Sequence, residues 1–222
     1  MPLSHKYKYI FIHIPKTGGT SIRRFLGSTR SKEVLSKQEQ RDYFRQQNIY
    51  YDYRHPTAYM YKTYELEPEQ FETYFKFTFV RNPYDRCVSE FFYAKGGHTK
   101  RDVPPWLDQK VKNYFSSRAF SSFLIKYLCE NNSYHSHTMS QSHFTLDENG
   151  NSLIDFIGRY ENLREDFAKI LDILKINKSI NKLSHRYKNL IELDKSQYLT
   201  PKNKELIYNK FKKDFELFGY EK

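Results

Sequence analysis

At 222 residues and 38% hydrophobic composition, the chain can bury an ordinary core without metal or disulfide staples. Twenty Tyr and 18 Phe supply much of that burial, which marks a folded domain and excludes a wholly solvated chain. Thirty-seven Lys and Arg against 26 Asp and Glu leave a formal charge of +11, which draws anionic partners (nucleotides, acidic glycans, nucleic acid, acidic lipid) without choosing among them.

In chain order, residues 7–13 read as a first strand, rich in aromatic and β-branched side chains. Pro15 and the Gly18-Gly19 pair end it sharply, and a short apolar-basic helix follows over 22–26. This apolar opening is too short to span a bilayer, is interrupted by His13, and lacks a signal-cleavage pattern. The chain as given is therefore expected to be soluble and cytoplasmic, with a Golgi lumenal origin left open for a chain that has lost an anchor. Residues 31–47 read as a polar helix and 49–53 as a short strand. A helical segment is expected from Thr57, and another begins around Pro68. The clearest strand is 75–80; it delivers Arg81-Asn82-Pro83, and 84–93 reads as a helix.

Glycine and proline pairs bracket a loop over 96–105, with helices expected over 106–114 and 120–130. Cys87 and Cys129 fall in expected helices and read as buried, reduced thiols. Residues 131–142 are rich in Ser and His and read as a loop, a cover for a site. A turn at 147–151 precedes a short strand over 153–160. Leu163, Phe167, Ile170, Leu171 and Leu174 share one face of a helix. Thr200-Pro201 then offers a cap and a first-position proline for a last helix. Strands separated by helices point to one α/β domain over 1–222, with a mostly parallel sheet and helices on both faces.

The motif with most chemical content is Ile14-Pro15-Lys16-Thr17-Gly18-Gly19-Thr20-Ser21. Paired glycines let backbone N–H groups approach an anion closely, and Thr20 and Ser21 add hydroxyls at a helix start that itself favours negative charge. Lys16 precedes the glycines, whereas the Walker A order places its lysine after them. No acidic pair suited to magnesium accompanies the loop. Arg81, at the exit of the second confident strand, and Ser89, in the following helix, form a reasonable clamp for a second phosphate. Arg81 alone reads equally well as half of a structural ion pair.

The first motif resembles the 5′-phosphosulfate loop of carbohydrate sulfotransferases that use 3′-phosphoadenosine-5′-phosphosulfate (PAPS). Phe79-Val80-Arg81-Asn82-Pro83-Tyr84-Asp85-Arg86-Cys87-Val88-Ser89 resembles their 3′-phosphate segment. Residues 156–163 and 214–220 are also similar to that family. The resemblance implies a P-loop-like three-layer sandwich with a mostly parallel central sheet. It implies that Lys16, Thr17, Gly18, Gly19, Thr20 and Ser21 embrace the phosphosulfate, that Arg81 and Ser89 bind the 3′-phosphate, and that Arg159 lies near the cofactor. The reaction implied is sulfuryl transfer to a hydroxyl, with a saccharide or glycan as the expected acceptor. It releases 3′,5′-adenosine bisphosphate and requires no metal.

Such transfer needs a base for the acceptor proton and a cation on the leaving side. Lys16 is the expected cation. His55 is the leading base, since neutral imidazole accepts a proton near neutral pH and Arg54-His55-Pro56-Thr57-Ala58 resembles the family segment preceding Arg81. The resemblance sets His137 and Gln141 on an acceptor-side loop, with His137 the second candidate base; Glu65, Glu67 and Glu69 are weaker carboxylate candidates. His13 reads as structural or as a sensor of the nearby anion. His135, His137 and His143 lack the partners and spacing of a zinc site, so no metal is expected. Competing readings are an atypical nucleotide phosphotransferase and a noncatalytic PAPS- or polyanion-binding protein. No nucleic-acid-binding motif is present.

Overall fold

The computed structural model describes residues 3–27, 55–94, 117–126, 136–183 and 194–222. The expected elements at 31–47, 49–53 and 106–114, together with Arg54, Cys129 and His135, lie outside the described residues. The elements in chain order are β1 (Leu3–Ser4), β2 (Tyr9–Ile12), α1 (Gly19–Leu26), α2 (Ala58–Met60), α3 (Pro68–Thr73), β3 (Phe75–Val80), α4 (Pro83–Ala94), α5 (Ser117–Leu124), α6 (Gln141–Thr145), β4 (Phe156–Arg159), α7 (Leu163–Ile173) and α8 (Pro201–Phe218). They gather into two compact units, Met1–Val80 with Tyr134–Ser184, and Arg81–Ser133 with His185–Lys222.

The first unit holds the sheet, ordered β1-β2-β3-β4. Strands β2, β3 and β4 run parallel, in a register that sets Ile12 beside Thr78 and Val80 beside Arg159. The two-residue β1 adds an antiparallel edge. All four residues of β2 are buried, as expected of a parallel strand covered on both faces. Alternation along the strands places Tyr9, Phe11, Phe77 and Phe79 in one core cluster with Ile22 of α1 and Leu163, Phe167, Ile170 and Leu171 of α7. The apolar stripe expected over 163–174 is therefore the face that covers the sheet. Gly158 answers a packing need at this interface: a Cβ there would lie 2.8 Å from Phe79 Cδ1.

A buried cation pins the strand register. Lys76 Nζ donates to the carbonyls of Phe71 and Tyr74, at 3.2 and 2.9 Å, and pairs with Asp155 at 3.1 Å. Asp155 also accepts the Lys76 backbone N–H and returns its own N–H to the Lys76 carbonyl. Burying this ammonium is tolerable because its donors all find oxygen.

The second unit is helical among the described residues. Its core joins Cys87, Val88, Phe91 and Phe92 of α4 with Phe120 and Leu124 of α5 and Ile207, Phe211 and Phe215 of α8. The expected cap at Thr200 is present: its hydroxyl accepts the Asn203 N–H at 3.3 Å, with Pro201 at the first helical position. Asn203 is itself buried and donates to Ser121 Oγ and the Tyr198 carbonyl. Cys87 is a free, buried thiol, and burial pushes it up to about 12.

Candidate active site

Parallel strands deliver their carboxyl ends to one edge of the sheet, where open α/β sheets bind ligands. The loop from β2 into α1 leaves that edge. Lys16 and Gly18 both take positive φ, 70° and 86°, so the backbone reverses twice within three residues. Gly18 is the N-cap of α1, and its carbonyl accepts the Ser21 N–H at 3.0 Å. A glycine cap brings no side-chain acceptor, and the first turn contains no acidic residue, so this helix start carries positive potential with no carboxylate of its own. A Cβ on Gly18 would meet Tyr160 and Leu163 at 3.1–3.3 Å in addition to the φ penalty.

The two threonines of the motif do different things. Thr17 is fully buried and its hydroxyl donates to the Ile14 carbonyl at 2.9 Å, closing the loop on itself. Its side chain is a staple of the loop. Thr20 and Ser21 are half-buried on the first turn of α1, as is Lys16 in the loop. Arg159 ends β4, and its backbone N–H donates to Asp166 Oδ2 at 2.9 Å, which fixes the strand end over α7.

Three histidines from distant parts of this unit meet in a file. His13 follows β2 on the same face as Phe11, and their rings stack at 5.7 Å with planes 21° apart. Phe11 in turn stacks on Phe77 at 5.0 Å, so His13 extends a column of rings rising from the core. The His55 ring lies 4.6 Å from that of His13, and the His137 ring meets His55 edge-on at 5.5 Å. On its other side the His13 imidazole rests against Gly19, where a Cβ would overlap the ring.

The contact that matters most for chemistry is 2.9 Å between His55 Nδ1 and the His13 carbonyl oxygen. A carbonyl oxygen only accepts, so Nδ1 carries the proton, and in the neutral ring Nε2 holds the lone pair. The residues on its C-terminal side hold His55 in place. Pro56 and Thr57 are buried, and Thr57 caps α2 by accepting the Met60 N–H at 3.1 Å. The helix expected from Thr57 thus starts there, then widens into a π turn over Tyr61–Glu65. His13 is held well below the usual imidazole range, by burial first, then by His55, Arg23 and His137.

His137 is half-buried in the turn before α6, and Gln141, fully buried, is the first residue of that helix. Helix α6 packs against α2, which brings the expected acceptor-side segment to the segment that carries His55. Arg81 and Ser89 belong to the second unit, where both are buried, Arg81 directly after β3 and Ser89 within α4. Among the described residues, no three His, Cys, Asp or Glu side chains converge as metal ligands do. Sequence reasoning left His13 with two loose roles. The signal for its position was the alternation with Phe11, which aims both rings to one side of β2.

Comparison with curated proteins and with solved structures returned no match. The family model for the sulfotransferase family matches residues 2–221, nearly the whole chain and both compact units. Its α/β sandwich, with a largely parallel sheet and flanking helices, accords with that match. The chain belongs to the sulfotransferase family, enzymes that transfer a sulfuryl group from PAPS to a hydroxyl acceptor.

Proposed function

We propose that this enzyme sulfates a carbohydrate hydroxyl, with His55 as the base and the loop after β2 as the phosphosulfate cradle. The observation that carries the reading is the Nδ1 contact of His55 with the His13 carbonyl, which leaves Nε2 as the basic atom within the same unit as the anion loop. PAPS supplies an activated sulfuryl group on a phosphate leaving group. His55 Nε2 takes the acceptor proton as the hydroxyl oxygen bonds to sulfur. The bond from sulfur to the 5′-phosphate oxygen breaks, and its electron pair leaves with 3′,5′-adenosine bisphosphate. Lys16 offsets the charge that grows on that oxygen, and the N-terminus of α1 adds its partial positive charge.

The loop fits such a group on chemical grounds: two positive-φ residues, a glycine cap, no acid in the first turn, and a half-buried lysine. Gly18, Gly19, Thr20 and Ser21 serve the phosphosulfate alongside Lys16, and Thr17 contributes through its backbone while its hydroxyl closes the loop. Arg81 and Ser89 take the 3′-phosphate and Arg159 stands by the cofactor. His137 and Gln141 contact the acceptor. The saccharide class rests on family resemblance together with the basic, aromatic composition.

The test is calorimetric titration of 3′,5′-adenosine bisphosphate, AMP and ATP without magnesium, followed by transfer of labelled sulfate from PAPS to a panel of glycans. The bisphosphate should bind at least about tenfold more tightly than AMP, one clamped phosphate being worth about 1.4 kcal/mol or more. Equal affinities for bisphosphate and AMP would remove the 3′-phosphate site, and a bound bisphosphate with sulfation confined to phenols would remove the carbohydrate acceptor.

A further inference from the structure

Within the reading of His55 as base, we propose that His13 is a positioning residue that braces the phosphosulfate loop and the base with one ring and one carbonyl. Its backbone oxygen takes the Nδ1–H of His55 at 2.9 Å. Its ring lies 4.6 Å from the His55 ring on one side and against the Gly19 backbone on the other. Nothing else among these contacts links the two halves of the chemistry so directly, since Gly19 opens α1 and His55 precedes α2.

The brace is anchored from below. Phe77, Phe11 and His13 stack in sequence, at 5.0 and 5.7 Å, and both phenylalanines are fully buried in the sheet core. A ring on such a column has little freedom to slide. The space above Gly19 is filled by imidazole, which explains a glycine there on packing grounds, apart from the conformational need met at Gly18. After burial, the charges of His55, Arg23 and His137 also hold the His13 ring below its usual range.

Orientation is what the brace supplies. An imidazole in water exchanges its proton between both nitrogens and rotates freely. A base that must meet a hydroxyl in line with a leaving group loses rate when either freedom returns. Removing the His13 ring leaves the carbonyl in place but frees the strand end and the His55 ring to move apart.

The test reads the tautomer of His55 directly, by nitrogen-15 spectroscopy of the imidazoles in the full chain. The protein has eight histidines, and loss of one signal set in His55→Gln assigns the ring. Wild type should show His55 with the proton on Nδ1. In His13→Ala the signals should move toward the tautomer mixture of a free imidazole. Gly19→Ala should do the same without altering either histidine, because the added methyl displaces the His13 ring. The double variant should be no worse than His13→Ala alone, which separates this coupling from two independent losses.

With PAPS and an accepted glycan, His13→Ala should lower kcat by about 10- to 100-fold while the affinity for 3′,5′-adenosine bisphosphate changes less than about threefold. A His55 tautomer unchanged in both His13→Ala and Gly19→Ala would overturn the proposal. So would a loss of bisphosphate affinity as large as the loss of kcat, which would make His13 a part of the loop alone. Failure of the wild type to bind the bisphosphate overturns the cofactor reading instead, and the tautomer measurement stands apart from it.

Discussion

At the scale of single residues, one loop shows the same side-chain type used in opposite ways. Thr17 turns its hydroxyl inward to the Ile14 carbonyl, while Thr20, three residues on, stands half-buried on the first turn of α1. His13 and His55 divide in the same manner, one a packed neutral ring and the other a ring with a directed lone pair. The depressed titration of His13 has a consequence for stability. Its folded value lies below the ordinary 6.5, so the unfolded chain binds a proton first as the pH falls. Stability is therefore full above pH 6.5 and declines below it until the folded ring also titrates, with a slope of at most about 1.4 kcal/mol per pH unit from this group. In urea unfolding at pH 7.5 and 5.5, wild type should lose more stability between the two than His13→Asn. Parallel losses in the two proteins would show that the His13 ring is not held neutral by the fold.

At the scale of elements, the π turn over Tyr61–Glu65 is the least expected piece of this structure. It widens the end of α2 and closes with the Leu66 N–H on the Tyr61 carbonyl at 3.2 Å. The Tyr61 hydroxyl is buried there with no hydrogen-bond partner among the described residues, and burial drives its phenol further from ionisation. A buried polar atom without a partner costs about 1–3 kcal/mol. Tyr61→Phe should thus leave the melting temperature unchanged or raise it. A clear fall would mean that the hydroxyl holds a group the fold needs.

Legibility from sequence varied with how local each signal was. The alternating run over 75–80 matched β3 residue for residue, and the 163–174 stripe matched the buried face of α7. The glycine-rich turn announced a strand, loop and helix, although α1 begins at Gly19, three residues earlier than its apolar pattern suggested. The strand expected over 153–160 shortened to four residues, and just before it Asp155 meets the Lys76 N–H with its side chain instead of its backbone carbonyl. Strand β1 was too short to make a pattern and exists only through its pairing with Tyr9 and Ile10. The meeting of His13, His55 and His137 was legible only as three separate residues. Their contacts join distant segments through tertiary packing, which no local spacing encodes.

At the scale of the whole molecule, the chain passes back and forth between its two compact units, and the family match covers both. Over the entire sequence the formal charge is +11, more than phosphate and sulfate groups of one cofactor require. Such a field extends to about 10 Å at 0.1 M salt and contracts to about 3 Å at 1 M. It accelerates encounter with anionic partners and does nothing for neutral ones. If the acceptor is a glycan bearing carboxylate or sulfate, kcat/KM at saturating PAPS should fall at least about tenfold between roughly 0.05 and 0.5 M salt, the range over which steered association weakens most. A neutral oligosaccharide with the same reactive hydroxyl should show a nearly flat profile over that range. Working at saturating PAPS keeps cofactor capture out of the comparison, so the difference between the two acceptors isolates the charge on the glycan. A flat profile with the acidic glycan would assign the surplus charge to solubility or to the cofactor, and would point the acceptor search toward uncharged saccharides.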